Sequence, residues 1–267
     1  MSYYGPEIIQ QQPSQVVYQQ YETDEQRFQN IMGLYEIGDF YSSKLKQLVG
    51  FEIVLICDDS SSMRALVKGG SLGMTRWEEL KRTASIVVDI AGLMDPTGID
   101  IYFLNREPLF NVKYSAQVAP AFYNPPKGGT SISSILRQIL ESKQQKIKEQ
   151  KLLIMIATDG LATNDQGDVD MGTLKFILKH ERRPIDRICV TFLMCTDEKR
   201  IIKIYNRWDK KITNVDVVDD YQSEKLEIEK VCGHNHVFSF GDYVVKSLIG
   251  SVDRTIDHQD EKRCVIS

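Results

Sequence analysis

The chain contains no apolar run approaching the roughly 18 residues that a membrane-spanning helix needs. Its first residues, MSYYGPEIIQQQPSQ, show neither the charged n-region nor the apolar h-region of a secretory signal. Cysteine is sparse and unpaired. The five residues at positions 57, 189, 195, 232 and 264 include no Cys-x-x-Cys pair, which disfavours a disulfide framework and a zinc knuckle alike. A cytoplasmic protein in a reducing compartment is the expectation. A concentration of basic charge is also missing: the formal net charge is -4 and Lys and Arg are spread evenly, so a nucleic-acid partner is not expected.

What the chain does have is enough length, 267 residues, and enough hydrophobic content, 42%, to bury one sizeable core. Residues 1–22 are rich in Gln and Tyr, lack any sustained period, and read as a tail. Thr23-x-x-Gln26 is a capping-box pattern ahead of Phe28, Ile31, Met32 and Tyr35, whose spacing predicts an amphipathic helix. A short helical stretch over 41–48 follows Gly38, giving an N-terminal helical extension over 23–47.

From residue 51 onward, apolar runs of strand length alternate with amphipathic segments. Strands are predicted at 51–57 (FEIVLIC), 99–105, 151–158 (KLLIMIAT) and 187–195, with a further short one at 236–240 (HVFSF). Helices are predicted over 76–94, from 131 to about 148, over 171–180, near 197–207 and 222–232, and from 242 to about 257. This alternation implies an α/β domain with a mostly parallel sheet and right-handed crossovers. Ligands of such sheets bind beyond the carboxyl ends of the strands.

Three segments at those ends carry oxygen-bearing side chains. The first strand runs into DDSSS, where Asp58-x-Ser60-x-Ser62 can turn one carboxylate and two hydroxyls toward a single point. PPKGGTS offers Thr130 behind Gly128 and Gly129, and TDG offers Asp159 ahead of Gly160. Five oxygen donors without imidazole or thiolate suit a small hard cation, Mg²⁺ by preference with Mn²⁺ admitted. Asp59 reads as a structural acceptor and not as a ligand.

Asp58-x-Ser60-x-Ser62, Thr130 and Asp159-Gly160 together resemble the metal-ion-dependent adhesion site of von Willebrand factor type A domains, and the order of strands and helices over about 48–255 is similar as well. The resemblance implies a Rossmann-like, doubly wound, mostly parallel six-stranded sheet flanked by helices, with an antiparallel edge strand after the second strand. It divides the chain into a tail (1–22), the helical extension (23–47), the domain (48–257) and a C-terminal tail (258–267). It implies Asp58, Ser60, Ser62, Thr130 and Asp159 as metal ligands, and a protein partner that presents an Asp or Glu carboxylate to the ion. Where the family often has Gly in the middle of the first motif, this chain has Ser61.

The chain ends in Cys-Val-Ile-Ser, a C-a-a-X pattern that makes Cys264 a farnesylation candidate. The preceding DRTIDHQDEKR is nearly balanced in charge, so a single lipid would give weak, reversible attachment to the cytosolic face of a membrane. The expected function is a non-enzymatic interaction module. Two alternatives are a metal-dependent phosphohydrolase with Asp58 as nucleophile and a tethered scaffold whose metal is purely structural. Against the hydrolase, haloacid-dehalogenase-type enzymes place a second Asp two residues after the nucleophile, where this chain has Ser60.

Overall fold

The computed structural model describes residues 23–256 apart from 71–72, 96, 234–235 and 254–255. The tail at 1–22 and the C-terminal segment bearing Cys264 lie outside the described residues. Among the described residues no helix is long and apolar enough to cross a membrane.

The strands are β1 (Phe51–Cys57), β2 (Ile99–Phe103), β3 (Leu109–Val112), β4 (Lys151–Thr158), β5 (Ile188–Met194) and β6 (Val215–Val218). They form one six-stranded sheet in the order β3-β2-β1-β4-β5-β6. All pairings are parallel except that of β3 with β2, which makes β3 the antiparallel edge. Every residue of β1 and β5 is buried, as an unbroken apolar strand covered on both faces requires.

Alternate side chains of β1 feed two separate cores. Phe51, Ile53, Leu55 and Cys57 join one apolar cluster, and Val54 and Ile56 join the other. The first cluster is closed by α3 (Arg76–Met94), α8 (Tyr221–Cys232) and α9 (Phe240–Ile249). The second is closed by α4 (Ile132–Ser142), α5 (Gln144–Glu149), α6 (Met171–Phe176) and α7 (Lys199–Asp209). The result is a mixed α/β domain with helices on both faces of the sheet.

The N-terminal helices α1 (Asp24–Leu34) and α2 (Asp39–Lys44) share the first core through Ile31, Met32 and Tyr41, with Ile37 from the loop between them and Leu45 from the turn that follows. Thr23 caps α1 with the reciprocal bonds to Gln26 that its sequence predicts. The turn after α1 runs directly over α9: a Cβ built on Gly241 would lie 2.1 Å from the carbonyl oxygen of Tyr35, so only glycine fits there.

Three expectations are corrected. The segment 236–240 forms no strand. Phe238 and Phe240 are buried against the ring of Tyr221, and Ser239 caps α9, which begins at Phe240 and ends at Ile249. The sixth strand is Val215–Val218, whose sequence VDVV is too short and too interrupted by Asp216 to stand out. The helix expected over 131–148 breaks at Lys143, which leaves the helical path to place its ammonium between the buried carboxylates of Glu52 and Asp100. Beyond α6, a π-helical turn over Ile177–Glu181 completes the helix expected at 171–180.

Candidate metal centre

Chain order fixes where a cleft must open. From β1 the chain crosses through α3 to β2 on one side, whereas β4 lies on the other side of β1 and continues through α6 to β5. Because α3 covers one face and α6 the other, the loops leaving the carboxyl ends of β1 and β4 diverge and leave a crevice between them. Asp58 follows the last residue of β1 and Asp159 the last residue of β4, and the two ends are held in register by the Cys57–Ala157 pairing and the Asp58 N–H to Ala157 carbonyl bond of 2.9 Å.

Within the crevice Asp58, Ser60, Ser62 and Asp159, four of the five predicted residues, form one hydrogen-bonded chain. Asp58 Oδ1 accepts the Ser60 N–H at 2.8 Å, and Asp58 Oδ2 accepts the Thr158 hydroxyl at 2.6 Å. The Ser62 hydroxyl donates to Asp159 Oδ1 at 2.7 Å, and the Ser60 and Ser62 oxygens are 3.0 Å apart. Since the Ser62 proton is committed to Asp159, the Ser60 hydroxyl is the donor of that contact. Asp58, Ser60 and Asp159 are buried, at 0%, 2% and 2% exposure, while Ser62 is exposed and marks the open side.

Thr130 arrives on a separate loop and is 7% exposed. Its N–H donates to Thr163 Oγ1 at 3.2 Å, and its carbonyl accepts the N–H groups of Thr163 and Ile132 at 2.9 and 2.8 Å. Those bonds clip the loop to the segment that follows Asp159. A Cβ built on Gly160 would stand 3.9 Å from Thr130 Oγ1, which places the hydroxyl beside the Asp159 turn. Ser61 joins the loops from the other direction: its N–H donates to the Gly128 carbonyl and its hydroxyl accepts the Gly128 N–H, both at 3.3 Å.

Asp59, next to the candidate ligand, points the opposite way. Its carboxylate accepts the Asn105 N–H and side-chain amide at 2.8 and 3.0 Å and pairs with Arg106 Nε at 2.7 Å. The same Arg106 donates to the carbonyls of Ala121, Asn124 and Pro125 and lies over the Trp77 ring, with 4.8 Å from guanidinium carbon to ring centroid. Gly128 has φ +111° and a Cβ there would fall 2.1 Å from Asn105 Oδ1. One buried carboxylate thus anchors the loop that delivers Thr130.

The donor set fits a small hard cation. The protons of Ser60, Ser62 and Thr158 are directed along the network toward Asp58 and Asp159, so oxygen lone pairs of the serines remain to face an ion. Burial raises the Asp58 carboxyl from 3.8 to about 6; the bonds from Ser60 and Thr158 oppose that rise, and the neighbouring Asp159 charge adds to it. A positive ion beside Asp58 would offset both the burial and the neighbouring charge that disfavour its ionised form. Among the described residues no group of three or more His, Cys, Asp and Glu side chains gathers as a ligand set, so a centre here depends on hydroxyl oxygens.

Three positioning groups escape sequence spacing. Thr158 sits beside Asp159 in the same TDG-bearing strand end and could have been read with it. Arg76 and Arg106 come from other segments, and nothing in their local sequence signals the site: Arg76 reaches Asp159 Oδ2 through Nη1 at 2.7 Å and Thr196 Oγ1 through Nη2 at 3.0 Å. No protein-family model matches the chain, and no curated protein matches it at a significant level.

Proposed function

We propose that the crevice between β1 and β4 is a divalent-cation site of the von Willebrand factor A type, through which the chain binds an acidic residue of a protein partner without catalysing a reaction. The observation that carries this reading is the convergence of Asp58, Ser60, Ser62 and Asp159 in one hydrogen-bonded cluster, with the Thr130 loop clipped beside it. Asp58, Ser60, Ser62 and Thr130 would hold Mg²⁺, or Mn²⁺ in its place, and Asp159 would act directly or through Ser62 and water. The exposed position of Ser62 leaves one side of the ion open to an incoming carboxylate. When bound, the ion supplies a concentrated positive charge. The residues supply a rigid cup that orients it.

Farnesylation of Cys264 belongs to the same reading and would bring this module to a membrane surface reversibly. The first test is calorimetric titration of the full chain with magnesium chloride, followed by binding of Asp- and Glu-bearing peptides with and without chelator. We expect one ion per chain, peptide capture that chelator abolishes, and loss of both in Asp58→Ala. Peptide binding that survives chelator and Asp58→Ala would place the interface elsewhere.

A further inference from the structure

Asp159 already has a cation. Arg76 is the first residue of α3, held at the helix start by the Thr75 capping box with Glu78, and its guanidinium reaches across the end of β4 to Asp159 Oδ2 and on to Thr196 beyond β5. The ion pair is 2.7 Å long, with the arginine side chain 11% exposed and the aspartate side chain fully buried. The other oxygen of Asp159 takes the Ser62 proton, so both oxygens of this carboxylate are engaged by the protein itself.

We propose that Arg76 is an internal counter-ion of the centre, which competes with the divalent ion for Asp159 and sets both ion affinity and the charge of the loaded site. The inference rests on the proposed cation site and adds a residue to it. Asp58, Asp159 and Arg76 together carry one negative charge, so a divalent ion brings the loaded site to one positive charge. Without Arg76 the loaded site would be neutral. The guanidinium therefore costs ion affinity by repulsion and leaves a positive field for an acidic ligand to enter. A pair that merely braced α3 against β5 would not alter ion affinity.

The test titrates magnesium chloride calorimetrically into the full wild-type chain, Arg76→Gln and Arg76→Lys. Removing a positive charge this close to a buried divalent ion raises the ion's affinity by roughly tenfold or more, so Arg76→Gln binds Mg²⁺ that much more tightly, while Arg76→Lys, which keeps the charge but loses the fork that also holds Thr196, binds it less tightly than Arg76→Gln. Equal or weaker binding by Arg76→Gln overturns the role of Arg76 and leaves the ion site standing. Absence of binding in every chain, wild type included, overturns the ion site as well. Wild-type chain gives a second readout that needs no variant to fold: the Arg76 Nε–H resonance moves during the magnesium titration with the calorimetric midpoint. A resonance unmoved at saturating magnesium also overturns the proposal.

Discussion

At Asp59 the chain buries a carboxylate one residue from a candidate ligand and surrounds it with its own donors, Asn105 and Arg106. Removing one partner of such a pair strands the other charge, at a cost of about 3–5 kcal/mol. Arg106→Ala is expected to lower unfolding free energy in urea by about that amount, and to weaken magnesium binding because the loop carrying Thr130 loses its anchor. Glu79 is a second residue with a measurable signature. Burial and the Asp220 charge raise its carboxyl from 4.5 to about 7, against the lowering effect of Arg82. An acid that holds its proton more tightly folded than unfolded adds stability below its unfolded value and loses it as pH rises through the folded one. Glu79→Gln should therefore be more stable than wild type at pH 8 by about 1–3 kcal/mol, with the difference vanishing between pH 7 and 4.5. A difference in thermal unfolding that stayed constant across that range would contradict the assignment.

Element by element, the ends matter more than the middles. The capping box at Thr75 starts α3 at the residue that reaches Asp159, so the cap of the helix also positions Arg76 at the candidate site. Thr75→Ala should cost about 1 kcal/mol of stability and shift magnesium affinity through the loosened Arg76, read by the same calorimetric titration. Gly241 illustrates the converse, an interior position fixed by a neighbour: its α9 backbone lies under the Tyr35 carbonyl with no room for a methyl group. Gly241→Ala should destabilise by more than about 2 kcal/mol, since backbone on both sides has to move. The break at Lys143 follows the same logic, because pairing an ammonium with Glu52 and Asp100 outweighs one more turn of regular helix.

For the molecule as a whole, two consequences follow from how the cores and the site are satisfied. Ile31, Met32, Tyr41 and Leu45 belong to the same core as β1, α3 and α9, so a chain beginning at residue 49 should unfold or aggregate and show no cooperative thermal transition. Asp58, Ser60, Ser62 and Asp159 are also hydrogen-bonded among themselves, so under the proposed reading the fold should not depend on an ion. Chelation should then lower the melting temperature only by the linkage amount, about 1.4 kcal/mol at tenfold excess of ion over Kd and hence a few degrees for a chain of this size. Collapse on chelation would instead favour a purely structural metal.

The apolar runs of β1, β4 and β5 and the periodicity of α3 could be read directly, because a strand buried on both faces and a helix with one buried stripe each leave a local pattern. That Asp58, Ser60, Ser62 and Asp159 would lie close together was legible for a related reason: small oxygen donors directly after two buried strands that pair in the sheet have few packing roles, and the structure joins them by hydrogen bonds. Sequence by itself determined the alternating α/β architecture and the edge on which to look. The tertiary structure alone decided that VDVV and not HVFSF completes the sheet, that Asn105 and Arg106 are the partners of Asp59, and that Arg76 reaches Asp159 from a distant segment. Those are pairings between groups far apart along the chain, set by which faces meet after the sheet has formed, and no local period records them.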